Sequence, residues 1–174
     1  MERNISVVRD VNGNQIVVVN DIRFKGKRNI NWNEVEQYLK QYIGEFIEIA
    51  ESKEIIYIGS DLPDEYSGSN YTAGLKGALA KAKANAAQGL PEMVEIAQNR
   101  RFQKNLKKKH DKNAKYGWYR YDSRFAIPIF DENNDVLRYN MFHAELVIRH
   151  SEDGKFYLYD VINIKKEAST PPEQ

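Results

Sequence analysis

Read at period two, the stretch FHAELVIRH, Phe142–His150, sorts onto two faces. Phe142, Ala144, Leu146 and Ile148 share one; His143, Glu145, Val147 and Arg149 share the other. Such alternation predicts a strand that buries one face and wets its back. The same pattern predicts strands over Ile5–Arg9 and Gln15–Asn20. Between them Asn12-Gly13-Asn14 is a hairpin turn, because Asn and Gly tolerate positive φ. Helical spacing follows: Trp32, Val35, Tyr38, Leu39 and Tyr42 form one stripe, capped by Asn31 or Asn33 and ended by Gly44. Phe46–Ala50 and Glu54–Gly59 predict two more strands. The stretch SDLPDEYSGSNY, Ser60–Tyr71, is rich in turn formers and predicts a loop. Tyr71–Ala87 is Ala-rich and predicts a helix with a small-residue surface, stopped by Gly89. Pro91 suits the first turn of a second helix running to about Gln98. Strands are predicted over Trp118–Phe130, Val136–His150 and Lys155–Ile164, with a frayed tail, Glu167–Gln174.

The order ββ-α-ββ-αα-βββ predicts one α+β domain over residues 1–174, an antiparallel β-sheet with helices packed on one face. The three long strands can be registered against each other by keeping apolar with apolar. A three-residue loop at Glu152-Asp153-Gly154 sets Ile148 against Leu158, Ala144 against Ile162 and Phe142 against Ile164. It also sets Arg149 against Tyr157, Val147 against Tyr159 and His143 against Asn163. A four-residue loop at Glu132–Asp135 sets Phe125 against Phe142, Ser123 against Ala144 and Tyr121 against Leu146. On the other face it pairs Arg124 with His143, Asp122 with Glu145 and Arg120 with Val147. The polar face then gathers Arg120, Asp122, Arg124, His143, Glu145, Arg149, Tyr157 and Tyr159. Asp160 falls on the apolar face, where it requires a partner or a bulge.

Composition narrows the class. With 174 residues, 41% hydrophobic and 29% charged, the chain suits a single soluble domain. It lacks an apolar run of membrane-spanning length and a secretory leader pattern, so no membrane is expected as a partner. Cysteine is absent, which removes disulfides, thiolate metal sites and a cysteine nucleophile, and fits a cytoplasmic location. Three histidines without a close pair, and no Gly-rich phosphate loop, predict neither metal nor cofactor. Net charge is only +1, yet it is unevenly spread. Asn31–Ser67 holds nine acids against two bases; Arg100–Lys115 holds eight bases against one acid. Opposite fields of this kind steer anions to one side.

The polar face has the residue types of metal-independent RNA cleavage. Glu145 or His143 would serve as base or acid, and Arg124, Arg149 and Arg120 as the clamp on the phosphate. Tyr157 and Tyr159 would stack bases or donate hydrogen bonds. The basic segment, with Arg100, Arg101, Lys104, Lys107, Lys108 and Lys109, would grip an RNA backbone. The same face also reads as the ordinary wet side of a sheet, its charges tied in cross-strand pairs. By the same ordinary reading the lysine run is a solvated loop, His110 and His150 are exposed, Trp32 and Trp118 are packing residues, and Asp61, Asp64 and Glu65 are turn or capping groups.

Three stretches, YTAGLKGALAKAKANAAQGLPEMVEIA, KHDKNAKYGWYRYDSRFAIPIF and YLYDVINIKKE, look like proteins of gut Firmicutes and their mobile elements. Across Tyr71–Lys166 the chain resembles the large polyvalent protein-associated domains of phage and conjugative elements. In layout it is similar to the phage barnase/EndoU/colicin/RelE-like nuclease group. The resemblance implies either a small ribonuclease or a catalytically silent accessory module that meets a protein partner. In the ribonuclease case the catalytic residues would be His143, Glu145 and Arg124 or Arg149. The last strand departs from that group's pattern, with no His, Ser or Thr before Ile164.

Overall fold

The computed structural model describes residues 3–26, 29–110 and 113–169. Met1, Glu2, Lys27, Arg28, Asp111, Lys112, residues 170–174 of the tail and the side chains of Lys108, Ala168 and Ser169 lie outside the described residues. The first hairpin is β1 (Ile5–Arg9) and β2 (Gln15–Val19), turned by Gly13 at φ 81°. Helix α1 (Trp32–Leu39) starts at Asn31, whose side chain accepts from the Glu34 N–H, and tightens into Lys40–Tyr42. Strands β3 (Phe46–Glu48) and β4 (Ile55–Tyr57) come next, then α2 (Leu62–Gly68), α3 (Asn70–Ala73), α4 (Gly77–Ala86) and α5 (Leu90–Glu95). The chain ends in β5 (Gln98–Gln103), β6 (Trp118–Phe130), β7 (Val136–His150) and β8 (Phe156–Ser169).

The protein is α+β, but the sheet is mixed rather than antiparallel. Among the described residues its order is β1-β2-β6-β7-β8-β4-β3, with β5 on β6. Hairpin neighbours run antiparallel, whereas β2 pairs parallel with β6 and β4 parallel with β8. A tight turn dictates antiparallel pairing; strands separated by long helical stretches are free of that constraint. The order of elements also differs from the expectation. The turn-rich Ser60–Tyr71 contains α2, because Pro63 fits its first turn and Tyr66 is fully buried with its hydroxyl on the Lys83 carbonyl, 2.6 Å. The expected single helix over Tyr71–Ala87 breaks between α3 and α4. The basic segment opens as a strand, β5, whose pairing slips between Gln98 and Arg101, so it shows no clean alternation. The tail does not fray at Glu167; β8 reaches Ser169.

The β6/β7 register is the expected one from Trp118 to Ile129, with Phe125 on Phe142, Arg124 on His143 and Asp122 on Glu145; it slips by one residue at Phe130, which pairs with Val136. The β7/β8 register begins as expected at Arg149–Tyr157 and Ile148–Leu158, then slips. Val147 pairs with Asp160 instead of Tyr159, and Glu145 with Ile162. His143 pairs with Lys165 instead of Asn163, and Phe142 with Lys166 instead of Ile164. Bulges cause the slips, and Asn163 at φ 51° marks the second.

Helices α4 and α5 cover one face of the sheet. Ala82, Ala86, Leu90, Met93 and Val94 pack with Tyr121, Phe125, Phe142, Leu146, Ile148, Leu158 and Val161 in one core. Strand β2 is buried on both faces, since Ile16, Val18 and Ala126 form a second small cluster; this accounts for its unbroken apolar run. No helix among the described residues is long and apolar enough to cross a membrane.

Candidate nucleic-acid interface

The polar face carries the expected side chains, and most of its charges are engaged. Arg149 is buried; its Nε and Nη2 donate to the two Asp61 oxygens at 3.0 and 3.1 Å, and its Nη1 donates to the Asn113 carbonyl. Asp61 precedes α2 but gives the helix no cap, because its carboxylate is turned to this guanidinium. The Tyr157 ring lies under Arg149 at 4.2 Å, and its hydroxyl donates to Asp153. At the other end of the β6/β7 ladder, Arg124 is held by Glu167, by Asp10 at 2.9 Å and by the Gln15 carbonyl. Between them Arg101 pairs with Asp122 at 2.9 Å, Arg120 with Glu145 at 3.2 Å, and His143 stands 3.5 Å from Asp122. Arg100 lies over the Tyr119 ring and faces Glu54. Two of the four residues expected to be catalytic, Arg124 and Arg149, are thus closed by separate carboxylates at opposite ends of the face. His143 and Glu145 sit between them in one paired-off network.

An opening does exist beside this network. The loop Gln103–His110 folds over the sheet where Trp118, Arg120, Val147 and Tyr159 emerge, and helices α2 and α3 close the far side. The result is a cleft of about 410 Å³. Lys104, Lys107, Lys109 and Arg120 line it, with Glu65, Asn70 and Tyr71 opposite. The loop is pinned by rings: His110 stands edge-on to Trp118 at 5.1 Å and to Tyr159 at 6.0 Å, and Trp118 edge-on to Tyr159 at 4.9 Å. Asn105 accepts from the Trp118 Nε1–H at 3.5 Å and from the Lys107 N–H at 3.2 Å. Gly117, at φ 103°, lets the loop re-enter β6 under Phe102; a Cβ there would meet that ring at 2.6 Å.

Beneath the cleft lies a buried ion pair. Lys83 of α4 reaches Asp160 at 2.6 Å and the Thr72 hydroxyl at 2.6 Å, with its ammonium over the Tyr66 ring. This pair answers the anomaly of Asp160 on the apolar face: both a partner and a bulge are present. Burial lowers the Lys83 pKa and raises that of Asp160, and each partner opposes the shift of the other. Burial also raises the Glu65 carboxyl, with the Asp160 charge adding to it and the neighbouring Tyr159 hydroxyl and Lys83 opposing it. Burial raises the Tyr159 hydroxyl too, helped by Glu65. His110 is lowered by burial and by Lys109 and Lys107. Its Nδ1 is buried and has no hydrogen-bond partner among the described residues. Among the described residues no group of His, Asp and Glu is placed to hold a metal.

No protein-family model matches the chain, and no curated protein or solved structure matches it. The cleft therefore stands on its own geometry. Of the residues singled out from sequence, it brings together Lys104, Lys107, Lys109, Arg120 and Tyr159. It leaves out Arg100, Arg101, Arg124, His143, Glu145, Arg149 and Tyr157. It adds Glu65, His110 and Trp118, for which the sequence reading gave ordinary roles. The misplaced Asp160 was the one sequence signal pointing here, since a lone buried acid demands a cation close by.

Proposed function

We propose that the protein is a binding module for single-stranded nucleic acid, holding the strand in the cleft under the Gln103–His110 loop. The reading is carried by one observation: three lysines and an arginine line the same cleft as the edge-on rings of Trp118, His110 and Tyr159. Cations that track a phosphate backbone, beside rings that stack bases, are what single-strand binding requires. The ion pairs on the rest of the polar face favour binding over cleavage by His143, Glu145, Arg124 and Arg149. RNA incubated with the protein in EDTA is accordingly expected to stay intact, with or without His143→Ala.

The direct test is fluorescence anisotropy of a labelled oligonucleotide across a salt series. Three lysine contacts predict a slope of log K against log salt of about −2, at roughly 0.7 per contact for single strands. Lys104→Glu, Lys107→Glu and Lys109→Glu together should flatten the slope and lower affinity about a hundredfold. An unchanged slope in the triple variant would remove the cleft from the binding surface. The same paired-off sheet face also supports a second reading, a non-enzymatic accessory module with a protein partner. Absence of any nucleic-acid binding, with the fold intact, would favour it.

A further inference from the structure

Two carboxylates line the cleft, and they differ: Asp160 is paired with Lys83, whereas Glu65 faces no cation among the described residues. Asp10, Asp61, Asp122, Glu145, Asp160 and Glu167 each face an arginine or lysine within salt-bridge distance. Glu65 forms no ion pair with any described residue, although it lines a cleft that also holds Lys104, Lys107 and Lys109. Its nearest polar company is the Tyr159 hydroxyl. A carboxylate beside a path for phosphates repels the strand unless the strand offers it a hydrogen. It is also partly buried, which raises its pKa, and the single hydrogen bond from Tyr159 leaves further lone pairs to satisfy.

We propose that Glu65 accepts a hydrogen bond from a ribose 2′-hydroxyl, so that the cleft selects RNA over DNA. This rests on the binding reading above and names the strand it takes. The three lysines contact phosphates, which RNA and DNA share, and ring stacking serves every base. Of the charged groups lining the cleft, the Glu65 carboxylate is the acceptor that meets no cation among the described residues, with the Tyr159 hydroxyl beside it. The 2′-hydroxyl is the donor that distinguishes one strand from the other. A deoxyribose strand leaves the carboxylate facing the backbone without a hydrogen to accept.

The test compares oligouridylate, oligodeoxyuridylate and 2′-O-methyl oligouridylate of one length and label, by anisotropy. The 2′-O-methyl strand keeps the ribose pucker but has no hydrogen to donate, which separates the hydroxyl from strand shape. The wild-type protein should bind oligouridylate about tenfold more tightly than the other two, the scale of one lost hydrogen bond to a charged group. Glu65→Ala should bring all three to equal affinity, weakening the RNA by the lost hydrogen bond and relieving the repulsion of the other two strands. Glu65→Gln should keep the preference, because its amide oxygen still accepts. Equal binding of the three strands by the wild type would overturn the inference and leave the binding reading standing. So would a preference that survives Glu65→Ala. Binding of none of the strands would overturn both.

Discussion

Lys83 shows how much one residue can depend on another far away in sequence. It sits in an Ala-rich helix where a lysine reads as solvent-facing, yet it is fully buried. Removing Asp160 would leave an ammonium without its counter-charge in the core. Asp160→Asn is expected to cost about 3–5 kcal/mol in urea denaturation, and the double change Lys83→Met, Asp160→Leu to recover most of it. A loss under about 1 kcal/mol for the single variant would show the pair to be solvated instead. His110 makes the second residue-scale prediction. Burial and its lysine neighbours hold it neutral near pH 7, and a bound phosphate would favour its charged form. Binding then takes up a proton. Affinity should rise as pH falls from about 7.5 to about 5.5, and His110→Gln should flatten that rise. A pH-independent wild-type affinity would mean that no phosphate approaches the ring. Neither residue declared itself from sequence, because a lone lysine or histidine carries no periodic signal; only its neighbours in space define its state.

Among the elements, the long strands were legible and the short helices were not. Trp118–Phe130 and Val136–His150 were bounded correctly from alternation alone, because a sheet with one buried face enforces period two over many residues. Helix α2 escaped because its Asp, Ser, Gly and Pro are turn formers in isolation, and its stability comes from Tyr66 buried against α4. Strand β8 was legible only to its bulge, where Tyr159 and Asp160 break the alternation that registration relies on. The loop between β5 and β6 depends on Gly117, whose positive φ and contact with Phe102 exclude a side chain. Gly117→Ala is expected to destabilise the fold by about 1–3 kcal/mol, measured by denaturation, and to weaken nucleic-acid binding further by displacing the loop. Full binding in a Gly117→Ala protein would show that the loop position does not set the cleft.

At the scale of the whole molecule, ion pairs join parts distant in sequence: Arg3 to Glu92, Asp10 to Arg124, Asp61 to Arg149 and Arg124 to Glu167. Their dependence on pH has a definite sign. Burial pushes Asp122 up, but Asn99, Arg101 and His143 more than offset it and leave its pKa lowered; burial also pushes Asp10 up, and the Asn14 and Asn12 N–H groups with Arg124 bring it down below the usual value. A lowered carboxyl adds stability above its unfolded pKa, about 3.9, and loses it as pH falls through the folded value. Stability should therefore drop below about pH 4, and Asp122→Asn should shrink that drop in denaturation curves taken across the acid range. Glu65 and Asp160 shift the opposite way and work against the loss. An acid limb unaffected by Asp122→Asn would place the sensitive pairs elsewhere.

What the sequence determined by itself was the α+β class, the β6/β7 register, the capped first helix and the composition of the polar face. Each follows from local periodicity or from a hairpin, where sequence distance and spatial distance agree. The tertiary structure alone decided that β2 and β4 pair parallel, that the polar-face arginines are closed by carboxylates, and that the basic loop roofs a cleft around Glu65 and His110. Those features join residues far apart along the chain. No period links Lys83 to Asp160 or Arg149 to Asp61; only the packing of helices on a curled, bulged sheet brings them within a hydrogen bond of each other.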